Sequence, residues 1–175
     1  MKISTLVLSA AVLALAATAA SAETKPAHHA AAAAPGVTRI GDEKSPLATS
    51  AKVPAGFETI YVSGLTASPV SPAAAGAAPD YGNTETQAES AFQKIEAALA
   101  AQGAGAGDIV SMHVYLVGDP AMGGKMDFGG MMKAYLRHFG TAAQPNKVTR
   151  TTVQVASLVG PGQLIEIDCI AVKKP

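Results

Sequence analysis

Arg150 is the residue whose type and position most strongly suggest chemistry. It lies in a stretch, 148–155, that reads as a β-strand, and it shares one side of that strand with Thr152 and Gln154. A charged side chain in such a strand needs a partner or a ligand. Because its guanidinium is a planar fork, Arg150 can bind a carboxylate through two charge-assisted hydrogen bonds. Two interpretations stay open: a carboxylate-binding site, or a structural salt bridge or exposed edge.

Two carboxylates interrupt the last apolar segment of the chain, 164–172. Glu166 and Asp168 share one side of this predicted strand, and Cys169 lies on the opposite, apolar side. A positioned carboxylate can act as a general acid or base. The alternative is a solvent-facing edge, or pairing with Arg150 or a lysine. Cys169 is expected to be a packed thiol, because no histidine lies near it in sequence.

Neither the histidines nor the glycines form a known catalytic motif. His113 and His138 lie on a predicted strand and a predicted helix without metal-ligand spacing, so both are expected to be structural. The adjacent His28 and His29 have no further ligand nearby and read as part of a solvated tail. The sequence has no P-loop, dinucleotide fingerprint, serine-hydrolase elbow or zinc-protease motif. This argues against nucleotide-dependent and zinc chemistry, and no metal site is predicted.

The composition limits the partners of this chain. The 175 residues suggest one domain, and the 13 basic and 13 acidic residues leave no strong field to attract nucleic acid or an anionic membrane. Cys169 is the only cysteine, so no intrachain disulfide can form.

The N-terminal residues predict export. Lys2 precedes an apolar run, and Ala20-Ser21-Ala22 follows the A-x-A cleavage pattern, so residues 1–22 read as a signal peptide. An uncleaved anchor is the alternative, but the run is shorter than the span of about 20 residues that a membrane helix needs. A flexible Ala/Pro-rich spacer is expected at 23–45 and the folded domain at 46–175. The expected location is periplasmic or secreted, without membrane attachment after cleavage.

Hydrophobic periodicity predicts five strands and two helices. The strands are expected at 47–53, 59–63, 109–117, 148–155 and 164–172, and the helices at 84–102 and 127–139. The first two strands are expected to form a hairpin, and Thr84 with Gln87 fits a capping box. Two helices can cover only one face of the sheet. The β-β-α-β-α-β-β order therefore predicts a second face buried against other subunits.

The order of these motifs resembles the RidA family, also called YjgF, of reactive-intermediate deaminases. The matching pieces are Val62-Ser63-Gly64, the helix segment QAESAFQKIEAALAAQG at 87–103, Gly107-Asp108-Ile109-Val110, Val114-Tyr115-Leu116, Arg150-Thr151-Thr152-Val153, Val155-Ala156-Ser157-Leu158 and Ile165-Glu166-Ile167-Asp168. They extend over nearly the whole predicted domain, and the arginine strand combined with the closing acidic strand is their most specific part.

The resemblance implies an α+β, chorismate-mutase-like fold and a homotrimer with ligand sites in clefts between subunits. It implies cofactor-independent hydrolysis of 2-enamine or 2-imine acids to 2-keto acids and ammonia. The substrate carboxylate would be bound at Arg150, and the attacking water would lie near Glu166. The residues expected to line the cleft are Ser63, Gly64, Thr152 and Tyr115. The implied partners are a small carboxylate-bearing substrate and further copies of the chain.

Two other functions are weighed beside this one. The first is a non-catalytic small-ligand-binding or chaperone-like trimer of the periplasm. The second is an endoribonuclease, a label attached to some relatives. The near-neutral charge and the lack of a basic stripe argue against the second.

Overall fold

The computed structural model describes residues 36–71, 75 and 77–175, which form six strands and two α-helices. The strands are β1 Thr38–Ile40, β2 Ser50–Lys52, β3 Glu58–Thr66, β4 Ile109–Val117, β5 Thr149–Val155 and β6 Ile165–Lys173, and the helices are α1 Thr84–Ala101 and α2 Phe128–His138. The predicted α+β class is confirmed. The predicted signal peptide and residues 23–35 of the predicted spacer lie outside the described residues. Within the described part, no helix combines the length and apolar character that a membrane crossing requires.

Four strands form the main sheet in the order β3-β6-β4-β5. β6 pairs antiparallel with both β3 and β4, whereas β4 pairs parallel with β5. A parallel pair needs a crossover, and α2 supplies it between β4 and β5. The sheet is therefore mixed, and β3 and β5 form its two edges.

Both helices pack against one face of this sheet. A single apolar cluster joins Phe92 and Ile95 of α1, Tyr135 of α2, and the inward residues Met112 and Ile167 of the two central strands. Burial alternates along β4 and β6, as expected for strands with one covered face. The opposite face, called the open face below, carries no helix of the described chain.

Cys169 lies on the helix-covered face and is buried. Burial, reinforced by the nearby charge of Asp168, raises the pKa of its thiol to about 12. Since the thiolate is the reactive form, this cysteine is inert near neutral pH. The interpretation of Cys169 as a packed thiol is confirmed.

The predicted hairpin between the first two strands is wrong. β2 pairs with β1, and β3 pairs instead with β6 along nearly its whole length. The long pairing prevails because it completes the central sheet, where Val62 reaches the apolar core. Sequence periodicity reports strands but not their partners.

Ordered structure begins before the predicted boundary at residue 46. β1 lies inside the predicted spacer 23–45. Arg39 anchors it, because its Nη2 donates to the carbonyls of Gly107 and Ile109 at 3.2 and 3.1 Å. The short strand is thereby a sixth strand, which the low periodicity of this segment did not indicate.

The helix α1 begins as predicted, but its cap differs. Asn83, not Thr84, is the capping residue, and the predicted capping box is wrong. The side chain of Gln87 is buried and bonds outside the helix instead: its amide donates to the carbonyl of Gly162, and its oxygen accepts from Leu164 N at 2.8 Å. Gln87 thus ties the start of α1 to the entrance of β6.

His138 fastens α2 to α1. Its Nδ1 lies 2.7 Å from Glu96 Oε1, its Nε2 lies 3.1 Å from Glu89 Oε1, and its side chain is 3% exposed. Burial alone would disfavour the charged ring, but hydrogen bonds and charge from Glu96 and Glu89 outweigh it and raise the pKa of His138. The expectation that His138 is structural agrees with this position.

We expect His138 to make the stability of the protein pH-dependent. A histidine whose folded pKa is raised contributes fully below its unfolded pKa, and that contribution is lost as the pH rises through the folded pKa. At pH 6, His138→Gln should therefore lower the free energy of unfolding by about 1–3 kcal/mol. The wild-type decline in stability between pH 6 and 8.5 should be smaller in the variant. Urea unfolding at both pH values measures this.

The matched control is Lys133→Gln on the exposed surface of the same helix. Lys133 is 71% exposed and should leave the wild-type pH dependence unchanged. An unaltered decline in the His138 variant would contradict the assignment of the pH dependence to this contact.

Candidate functional site

Arg150 lies on β5 and points toward the helix-covered face. Its strand register places it beside the core residue Met112. Its Cζ lies 4.3 Å from the centre of the Tyr135 ring, and its Nη2 lies 3.1 Å from Met132 Sδ. Among the described residues, no carboxylate lies within ion-pair distance of this guanidinium. The alternative of a structural salt bridge is therefore not what the structure shows.

The hydrogen-bond donors of the Arg150 guanidinium are only partly paired. Burial lowers the pKa of Arg150, although nearby Tyr135 partly opposes this effect. An arginine nevertheless stays charged at all physiological pH values. The Nε of Arg150 and the Oγ1 of Thr152 are both buried without a hydrogen-bond partner in the described chain. Two predicted binding residues thus lie on one side of β5 with unused polar atoms, as expected where a ligand or another subunit completes the contacts.

Three other predicted residues, Gly64, Tyr115 and Glu166, gather on the open face beside a cavity of about 320 Å³. The cavity is lined by Gly64, Tyr115, Val155, Ser157, Leu158, Glu166 and Asp168. Tyr115 and Glu166 face each other across the antiparallel pair β4 and β6. The predicted acid and the predicted aromatic wall therefore share one cavity.

Gly64 makes room for the carboxylate of Glu166. The register of β3 against β6 shifts between Val62 and Leu65, so Ser63 and Gly64 form an irregularity in the strand. A Cβ atom at position 64 would overlap Glu166 Oε1. Ser63 is exposed beside this point, and it is not among the residues that line the cavity. A larger residue at position 64 would push the carboxylate away.

Tyr115 offers this cavity a neutral hydroxyl. Burial, followed by the charges of Asp168 and Glu166, raises the pKa of its phenol. The group therefore remains protonated near neutral pH and can donate a hydrogen bond to a ligand.

His113 is a residue whose position the sequence reasoning missed. It was expected to be structural, like His138, but it lies partly exposed on the open face. Its Nδ1 is 2.8 Å from Oδ1 of Asp168, which faces it directly from β6. The alternation of β4 does place His113 and Tyr115 on one side, but the link to Asp168 requires the register of the two strands.

The structure separates the predicted site into two halves. Arg150 and Thr152 lie on the helix-covered side of the sheet, whereas Gly64, Tyr115 and Glu166 lie on the open side. A single chain does not bring the arginine and the acid into one cavity. A site that uses both must combine two copies of the chain.

A second cavity, of about 480 Å³, lies on the outer surface of the helices. It contains none of the predicted site residues. Its arginine, Arg137, is already paired with Glu85 and Glu89 at 2.7 and 3.0 Å. This cavity therefore offers no unpaired charge to a ligand. Within the described chain, no cluster of three or more histidine, cysteine or acidic side chains could hold a metal ion.

Comparison with known proteins supports the resemblance seen in the sequence. The profile of the endoribonuclease L-PSP family matches residues 50–173. A search of the curated proteins found no match.

Solved structures share the fold. A protein from Vibrio vulnificus is 30% identical over 69% of this chain and 85% of its own, with a TM-score of 0.52. Escherichia coli TdcF, solved with bound serine, is 26% identical over 78% of this chain and 99% of its own, with a TM-score of 0.52. YyfB from Yersinia pestis, of the conserved Rid protein family, is 17% identical over 77% of this chain and 97% of its own, with a TM-score of 0.59. At this identity the likeness supports the fold alone.

Proposed function

Since the chain belongs to the endoribonuclease L-PSP family, also known as YjgF/RidA, we propose that it hydrolyses reactive 2-enamine and 2-imine acids to 2-keto acids and ammonia. The observation that carries this proposal is the state of Arg150. Its guanidinium packs against the Tyr135 ring with Nε buried and unpaired, and no carboxylate of the described chain pairs with it. A cation held in this way is available to a ligand carboxylate.

Arg150 would bind and orient the substrate. The guanidinium fork holds a carboxylate in a fixed plane, which presents the adjacent C=N carbon to water in a defined direction. The TdcF structure contains serine, a small molecule with a carboxylate next to a nitrogen-bearing carbon. That ligand supports a substrate of the amino-acid type for this chain as well.

Glu166 would act as the general base for the attacking water. Its carboxylate lies against Gly64 at the edge of the open-face cavity. From there it can take a proton from a water molecule as the oxygen attacks the imine carbon. Tyr115 faces it across the strands and can donate a hydrogen bond to the developing hydroxyl. An imine is already electrophilic, so this chemistry needs no cofactor.

The two halves require assembly, and we propose a homotrimer with the site between subunits. β5 is an edge strand in the described chain, so Arg150 can reach a neighbouring copy. The open face carries the apolar side chains Tyr61 and Val153, which are 78% and 41% exposed. Packing of these side chains against other copies of the chain would remove their apolar surface from water.

The name of the family also suggests ribonuclease activity as a function, but a specific observation disfavours that function. The cavity near Glu166 contains two carboxylates and no lysine or arginine among its lining residues. Arg150 of a neighbouring copy would add one positive charge, which suits a single carboxylate but not the many phosphates of a nucleic-acid backbone. The 13 basic and 13 acidic residues balance, so the chain as a whole exerts no long-range attraction on a polyanion.

We also propose that the protein acts outside the cytoplasm, because residues 1–22 have the features of a signal peptide. Its substrate would then have to form in, or reach, the same compartment. Cell fractionation followed by N-terminal sequencing of the mature chain tests this. A chain recovered from the cytoplasm with residue 1 intact would contradict it.

A direct assay tests the proposed reaction. The purified protein should accelerate release of ammonia and keto acid from a freshly generated 2-imino acid, in proportion to its concentration. A chelator should leave the rate unchanged, because the proposed chemistry uses no metal. Tight binding of a carboxylate ligand without any acceleration would contradict the proposal and favour the non-catalytic binding protein.

A further inference from the structure

The pairing of His113 with Asp168 has no role in the proposed function so far. The two residues are direct cross-strand neighbours, with His113 Nδ1 2.8 Å from Asp168 Oδ1. Asp168 also lines the cavity that contains Glu166 and Tyr115. The carboxylate of Asp168 therefore connects the histidine with the place where the reaction would occur.

Hydrolysis of an imine moves protons at two different atoms. In the first step the C–O bond forms: one proton leaves the attacking water and one reaches the nitrogen. In the second step the C–N bond breaks: one proton leaves the hydroxyl and one more reaches the nitrogen, which departs as ammonia. A single carboxylate must serve both atoms in turn, whereas two carboxylates can serve them separately.

We propose that Asp168 and His113 form a proton relay to the nitrogen of the substrate, an inference that rests on the proposed imine hydrolysis. Glu166 takes the two protons from oxygen and releases them to solvent. Asp168 delivers the two protons to nitrogen and each time regains one from Nδ1 of His113, and exchange with water returns a proton to Nδ1 between the two transfers. The side chain of His113 is 42% exposed, so its ring can be reprotonated from water. Protons taken up and released balance over one turnover.

The surroundings of His113 limit which groups can set its pH response. Asp168 faces it from β6, and Thr151, which does not titrate, lies beside it on β5. On its own strand the nearest titratable group is Tyr115, whose ring centre is 6.4 Å away. Since the phenol of Tyr115 remains neutral, any pH dependence of the relay must come from the His113–Asp168 pair or from Glu166, the other acid of the cavity.

The variant His113→Asn tests the relay. An asparagine amide can still donate to Asp168 but cannot pass on a proton, so the variant separates proton transfer from positioning. We expect kcat to fall roughly tenfold with KM within about twofold. The dependence of kcat on pH should also be weaker in the variant than in the wild type, because an asparagine side chain neither takes up nor releases a proton. His113→Gln provides a second variant with the same expectation.

The control is Ser111→Ala, which lies on the same face of β4 two residues from His113. This variant should keep the wild-type kcat and pH profile. A folded His113→Asn protein with wild-type kcat and pH profile would overturn the relay while leaving the hydrolase intact. A wild-type protein without turnover would overturn the proposed function itself. The two failures are thus distinguished by the wild-type rate alone.

Discussion

Replacing Arg150 by methionine is expected to weaken use of the imino-acid substrate about 10–100-fold, because a charge-assisted hydrogen bond contributes about 1.5–3 kcal/mol. The same change should leave the free energy of unfolding within about 1 kcal/mol of the wild type. Activity and stability should respond differently because the guanidinium packs on Tyr135 and Met132 without an ion pair in the described chain. Methionine can fill the same space among these groups. The apolar packing is thereby kept, while the charge-assisted contact with the ligand is lost.

The measurements are kcat/KM for the imino acid and a urea unfolding curve for each protein. Arg150→Lys is the matched control for charge: it keeps the cation but loses the fork, so it should recover only part of the activity. A methionine variant that is strongly destabilised but fully active would show that Arg150 is a structural residue.

The sequence predicted the core elements well because each of them has its own periodicity. β4 was predicted with its observed bounds, and α1, α2, β5 and β6 to within two residues. The pairing of the early strands was predicted wrongly, as a hairpin. β2 and β3 are close in sequence, and their hydrogen-bond partners are determined by the long contact of β3 with β6. Local pattern does not contain that information.

The arrangement of the predicted site residues could not be read from the sequence. Alternation within one strand gave the correct neighbours for Arg150 and for Glu166. It did not reveal that the two strands direct these side chains to opposite faces of the sheet, because that depends on how β5 and β6 are placed around β4. The same limit hides the contact between His113 and Asp168, which depends on the register of β4 against β6.

Replacing Glu166 by glutamine is expected to have the largest effect on activity. Glutamine keeps the shape and a hydrogen-bonding group but cannot accept a proton. General acid–base groups commonly contribute about 10²–10⁴-fold, so kcat should fall at least about 10²-fold while KM stays near the wild-type value. Gly64→Ala should reproduce part of this loss, because its Cβ would displace the same carboxylate. Wild-type kcat in both variants would remove Glu166 from the mechanism.

The Glu166 variant also tests how the two halves of the site combine. If each site takes Arg150 from one copy and Glu166 from its neighbour, the inactive variants Arg150→Met and Glu166→Gln should complement each other. After the two proteins are unfolded together and reassembled in equal amounts, random mixing leaves about one quarter of the sites with both native residues. Activity should therefore rise to about one quarter of the wild-type rate. Each variant reassembled alone is the control. If the mixture is no more active than the controls, both residues must act from the same chain, and the opposite-face arrangement would no longer explain the site.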